Sequence, residues 1–64
     1  MSERQEYLLT VEEVAELLKV PMSWVYQHTR RRSQERIPFV KIGRYVRFRE
    51  EDVRTYIQHR TVRG

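Results

Sequence analysis

Cysteine is absent from the 64 residues, which removes both the disulfide staple and the thiolate metal site and points to a reducing cytosol. No run approaches the ~20 apolar residues that span a bilayer, and no signal peptide is expected at the start, so the chain reads as soluble, cytoplasmic and membrane-free. Glycine and proline number two each, and no linker, internal repeat or low-complexity tract divides the sequence. A chain this short buries only about 60% of the surface its unfolded form exposes, enough for one thin core and too little for a deep substrate cleft. Catalysis is therefore not expected. Ser23 and Ser33 have no base arranged beside them, and His28 and His59 fall on different predicted helices without paired acids to complete a metal site. No cofactor is implied.

What the sequence has in excess is positive charge: 13 Lys and Arg against 9 Asp and Glu, a net +4. The distribution is more telling than the total. Residues 1–29 carry −3, residues 30–49 carry +7, and residues 50–64 balance to zero. The middle block holds Arg30, Arg31, Arg32, Arg36, Lys41, Arg44, Arg47 and Arg49 against Glu35 alone, together with Phe39, Tyr45 and Phe48. A solubilising surface usually mixes signs; a basic block with interleaved aromatics suggests a polyanion partner.

Residues 1–7 are polar and are expected to form a disordered tail, residues 8–60 the folded domain, and residues 61–64 a loose end. Thr10-Val11-Glu12-Glu13 is a capping box, in which the Thr10 hydroxyl accepts from the Glu13 amide and the Glu13 carboxylate from the Thr10 amide. Leu9 and Val14 occupy the two positions of a hydrophobic staple. Val11, Val14, Ala15 and Leu18 then fall at i, i+3, i+4 and i+7 with Leu17 beside them and Glu12, Glu13 and Glu16 opposite, predicting an amphipathic helix of about two turns. Pro21 ends it, because the residue before a proline avoids the α region. A second helix can start at once, since proline is tolerated where no intrahelical N–H bond is needed. It is predicted from Met22 to about Arg31, with Val25 inward and Trp24 and Thr29 assisting. Two short helices joined by Lys19-Val20-Pro21 match a helix-turn-helix.

After the polar stretch Arg32–Arg36, Phe39 to Phe48 alternates as two strands around Gly43-Arg44. A two-residue loop pairs Ile42 with Tyr45 and Val40 with Arg47, mixing apolar and charged residues on both faces. One extra residue at Tyr45 gathers Val40, Ile42, Val46 and Phe48 on one face, and that register is preferred. It sets Lys41 beside Arg47, an arrangement that repels unless a phosphate lies between them. Glu50, Glu51 and Asp52 open a last helix, where acids complement the helix dipole, and Val53, Tyr56 and Ile57 face inward. The expected architecture is mainly α with a small β-hairpin: a winged helix-turn-helix with a two-stranded wing and a C-terminal helix.

Leu8, Leu9, Thr10, Glu13, Val14, Ala15, Leu18 and Val20, then Trp24-Val25-Tyr26, then Ile37-Pro38 and Val40-Lys41-Ile42-Gly43-Arg44, then Phe48 to Val53 with Tyr56 and Ile57, together resemble the excisionase-type, MerR-like helix-turn-helix family. The resemblance covers residues 8–58. It departs at Pro21, where the family tends to have serine, and in a longer connection from helix to wing, Arg32-Ser33-Gln34-Glu35-Arg36. It implies binding to double-stranded DNA. Some members resembling this domain are excisionases of phages and mobile elements, recombination directionality factors that bend DNA beside an attachment site and steer an integrase; others are small transcriptional regulators.

Met22, Ser23, Tyr26, Gln27 and Arg30 are expected on the groove-facing side of the second helix. Gln27 suits bidentate contact with adenine and Met22 a thymine methyl, although a solvated Gln27 and a Met22 capping the core edge are equally consistent with their positions. Ser23 and Tyr26 suit phosphates, and Trp24 packing rather than stacking on bases. Arg30, Arg31 and Arg32 divide between phosphate or guanine and solvent. Arg44 at the hairpin tip is expected at the minor groove or its flanking phosphates, with Lys41 and Arg47 on the same surface. The acidic face of the first helix is expected to point away. A protein-interaction module docking its basic face on an acidic partner, or an RNA binder, are the readings from other classes. No heptad seam is present, so the free chain is expected to be monomeric, nucleoid-associated, and to meet neighbouring copies or an integrase only on DNA.

Overall fold

The computed structural model describes residues 8–30 and 36–63. The expected tail at residues 1–7, Arg31, Arg32 and Gly64 lie outside the described residues. The order is β1 (Leu8–Leu9), α1 (Val11–Leu18), α2 (Met22–Gln27), β2 (Val40–Ile42), β3 (Tyr45–Arg49) and α3 (Glu50–Arg60). This is the winged helix-turn-helix expected, with one addition: β1 pairs antiparallel with β3, so the wing hairpin belongs to a three-stranded sheet ordered β1-β3-β2.

α1 is closed at both ends by its own groups. The Thr10 amide donates to Glu13 Oε1 at 2.9 Å and the Glu13 amide to Thr10 Oγ1 at 3.1 Å, completing the capping box. At the other end Lys19 takes a left-handed conformation (φ 61°, ψ 45°). Its amide donates to the Glu16 carbonyl at 3.2 Å and that of Val20 to the Ala15 carbonyl at 3.0 Å. This is a Schellman closure, achieved with lysine where glycine is usual.

α2 is shorter than expected, ending at Gln27 rather than near Arg31. No proline or glycine stops it; polar side chains do. The His28 amide reaches the carbonyls of Trp24 (3.2 Å) and Val25 (3.0 Å), and the Thr29 amide that of Tyr26 (3.1 Å). His28 Nδ1–H donates to the Trp24 carbonyl at 2.8 Å, and the Thr29 hydroxyl to the Tyr26 carbonyl at 2.8 Å. With the last carbonyls satisfied in tighter turns, the helix has no need to continue. The His28 ring stacks on Trp24, centroids 3.7 Å apart, and its carbonyl accepts from the Ile37 amide at 2.9 Å.

The core is Val11, Val14, Ala15, Val25, Ile37, Phe48 and Val53, with Leu9, Leu18, Val20, Trp24, Phe39, Val46 and Tyr56 packed around it. Every strand and helix contributes except β2, and Ile37 enters from the connection before Pro38.

The hairpin register is the reverse of the preferred one. Val40 pairs with Arg47, Lys41 with Val46 and Ile42 with Tyr45 across a two-residue loop. Gly43 takes a φ of +61° while Arg44 keeps a negative φ, the pattern of a type II′ turn, whose twist matches that of the strands it joins. Turn geometry overrides apolar alignment here because the core is already supplied. Ile37 and Phe39 fill the space assigned to Val40 and Ile42, with the Phe39 and Phe48 rings 6.5 Å apart. Cross-strand partners share a face, so Phe48, Val46 and Leu9 face the core while Ile42, Tyr45 and Arg47 face outward. Lys41 and Arg47 therefore lie on opposite faces, and the expected phosphate-bridged pair does not form.

Candidate nucleic-acid interface

Six residues of helix with one buried side chain, Val25, leave most of α2 available at the surface. Met22 (46%) and Tyr26 (49%) are exposed on consecutive turns, and Ser23 and Gln27 are exposed beside them. Pro21 precedes them as the helix cap, its carbonyl accepting from the Trp24 amide at 3.0 Å. Arg30 is exposed but stands beyond the helix end, its amide 3.5 Å from the Gln27 carbonyl. The expectation that it shares the helical face is thus corrected: its side chain departs from a bend.

Facing α2 across a groove of about 360 Å³ is the wing. Met22 and Tyr26 line one side, Arg44, Tyr45, Val46 and Arg47 the other, and Thr10, Val11 and Glu12 at the start of α1 close the end. Four of the expected site residues, Met22, Tyr26, Arg44 and Arg47, are thereby brought together. Ser23 and Gln27 lie on the same helix outside the groove lining, and Lys41 is exposed on the edge strand.

The charged side chains that line the groove are those of Arg44, Arg47 and Glu12. Arg47 is held in place: Nη1 donates to the Val46 carbonyl at 2.9 Å, and its guanidinium carbon lies 5.3 Å from the Tyr45 ring centroid. Arg44 stands at the tip of the turn and is exposed. Glu12 was expected on a face turned away from this side; it lines the groove instead. An acid there opposes a phosphate and favours a hydrogen-bond donor such as a cytosine amino group.

Two exposed groove residues escaped sequence reasoning. Tyr45 (58% exposed) was expected at the extra residue of the hairpin and given no role in the site; the Gly43-Arg44 dipeptide, a type II′ signature, was the signal for its outward position. Glu12 carries no such signal, since its approach to the wing depends on how α1 packs on β3. Trp24, with His28 stacked on it, packs as expected. Among the described residues no three His, Cys, Asp or Glu side chains form a metal-binding group, and no helix is long and apolar enough to cross a membrane.

No curated protein and no solved structure matches the chain. The helix-turn-helix domain family does, over residues 8–61, a span that begins at β1 and passes the end of α3 and so contains the two-helix unit, the wing and the groove between them. Family and geometry agree, and the chain belongs to the excisionase-like helix-turn-helix family and is a helix-turn-helix DNA-binding domain.

Proposed function

We propose that this domain is an excisionase, a recombination directionality factor that binds repeated DNA sites beside an attachment site, bends the duplex and assists an integrase. α2 enters the major groove, with Gln27 on adenine, Met22 on a thymine methyl, and Ser23 and Tyr26 on phosphates. Arg44 reaches the adjacent minor groove, and Arg30, Arg31, Arg32, Lys41 and Arg47 meet phosphates on either side. The observation that carries this reading is the groove in which Met22 and Tyr26 of the second helix face Arg44 and Arg47 of the wing. A reading helix and a cationic wing on one side of a small domain suit one helical turn of duplex.

A single module of this size gains limited affinity, so binding is cooperative along direct repeats, and bending is offset by the contacts it adds. The test is a gel-shift titration at two salt concentrations on attachment-site, promoter and random duplexes. Neutralising about six phosphates gives a log–log salt slope near −5. A ladder of bent complexes on the attachment fragment supports the excisionase; one complex confined to the promoter makes the chain a transcriptional regulator; a slope near zero overturns the DNA contacts assigned above.

A further inference from the structure

The two-residue turn leaves two large apolar side chains at the tip of the wing. Ile42 and Tyr45 pair directly across β2 and β3, 48% and 58% exposed, on either side of Gly43-Arg44. Single exposed apolar residues are ordinary; these two are adjacent, and in their own hairpin the charged neighbours Lys41, Arg44 and Arg47 are all basic, with Glu12 of α1 the acid that reaches the groove beside Tyr45. From residue 36 to residue 49 there are five basic residues and no acid. Half of the large hydrophobic residues exposed among the described residues, Met22, Tyr26, Ile42 and Tyr45, belong to α2 and this tip. A partner for the tip must therefore be anionic and also offer apolar surface within a side-chain length of its charges. The minor groove of duplex DNA does so, with phosphates at its rims and sugars and base edges between them.

We infer that Ile42 and Tyr45 form a minor-groove wedge, an inference that rests on the DNA-binding reading of the wing. Arg44 leads the tip between the phosphate rims. Ile42 presses its branched side chain against a base step and partly unstacks it, while Tyr45 lies along the sugars with the Arg47 guanidinium over its ring. Such wedges kink the duplex toward the major groove, here toward α2, because Tyr45 lines the groove that Met22 and Tyr26 also line. The wedge assigns the bend to two uncharged residues, separate from the cations that supply attraction.

The test uses the whole 64-residue chain and a duplex selected by it from a random pool, with end-to-end fluorescence energy transfer reporting the bend. Ile42→Thr with Tyr45→Thr keeps β-favouring residues and removes no charge. The double variant is expected to bind about tenfold more weakly, a loss of ~1.4 kcal/mol, with the duplex returned toward straight and the salt slope unchanged. A double variant that binds and bends like the parent overturns the wedge, as does an acidic protein whose binding, rather than DNA bending, is lost. 2-Aminopurine placed at successive steps provides a readout that needs no variant: fluorescence rising at one step in the complex supports the wedge, and no rise at any step overturns it. If the parent selects no duplex at low salt, the DNA reading of the wing falls and takes the wedge with it; if it binds a straight duplex, the wedge alone falls.

Discussion

α1 and α2 differ in how their sequences are used. α1 ends in a capping box on one side and a Schellman closure on the other, and buries Val11, Val14 and Ala15. α2 begins at a proline without any side-chain cap, lasts six residues and buries Val25 alone. The first helix invests its residues in holding the fold; the second leaves Met22, Ser23, Tyr26 and Gln27 at the surface. The sheet repeats the division along β3, where Phe48 is buried and Tyr45 is not. In a domain with room for one thin core, the residues that hold the fold and those proposed to meet DNA are different residues of neighbouring elements, so each set can be altered while the other is watched.

The sharpest way to break this division is at Phe48, which is fully buried at the centre of the sheet. Phe48→Ala is expected to cost about 3–5 kcal/mol, as much as a single small core supplies, and to abolish the cooperative thermal transition followed by circular dichroism. A variant that still melts cooperatively near the parent temperature would show that the core lies elsewhere. On the recognition side, Gln27→Ala should leave the melting temperature unchanged and cost about 1–3 kcal/mol of discrimination at one base pair, read by competition between the selected duplex and its single-base variants. Uniform weakening across all duplexes would instead assign Gln27 to a phosphate.

Two smaller effects sharpen the account of α1. Thr10→Ala removes one half of the capping box and should lower stability by about 1 kcal/mol, a fall of roughly 4–8 °C in a domain of this size. Its DNA affinity, compared under conditions where both proteins are folded, should stay within twofold; a larger loss would mean that Thr10, at the end of the groove, touches the duplex. Lys19→Gly relieves the left-handed strain that lysine bears and glycine does not. A gain of up to ~1 kcal/mol in urea denaturation is expected, and a loss would indicate that the lysine side chain contributes contacts worth more than the strain.

How much of this was legible in the sequence depends on the range over which each rule acts. The capping box at Thr10 and Glu13, the staple of Leu9 and Val14, and the i, i+3, i+4, i+7 stripe of α1 operate over about two helical turns, and the structure follows them. The turn at Lys19-Val20-Pro21 and the start of α2 were local in the same way. The end of α2 was hidden because His28 and Thr29 stop it with side-chain hydrogen bonds, which carry less weight in sequence than a proline or glycine. Ile37 fell outside every predicted helix and strand; in the structure it is fully buried, and its amide donates to the His28 carbonyl nine residues earlier. β1 consists of two residues whose partners lie about forty positions away. The hairpin register was available from Gly43-Arg44 but conflicted with the apolar pattern, and turn chemistry prevailed because other residues had filled the core. Within the candidate site, Met22, Tyr26, Arg44 and Arg47 were readable as an exposed helix face and a basic turn, Tyr45 only through the Gly43-Arg44 turn that fixes the register, and Glu12 required the tertiary arrangement.

The central claim, that the wing and α2 meet DNA while the core stands behind them, is tested most directly at Arg44, which is exposed and makes no contribution to the core. The measurement is the salt dependence of duplex binding by the parent and by Arg44→Gln, with melting curves taken on the same samples. Equal melting temperatures with a log–log slope smaller in magnitude by about 1 in the variant are predicted, since the cation that the tip carries between the phosphate rims is lost. An unchanged slope with unchanged affinity would place the wing away from the duplex and contradict the account.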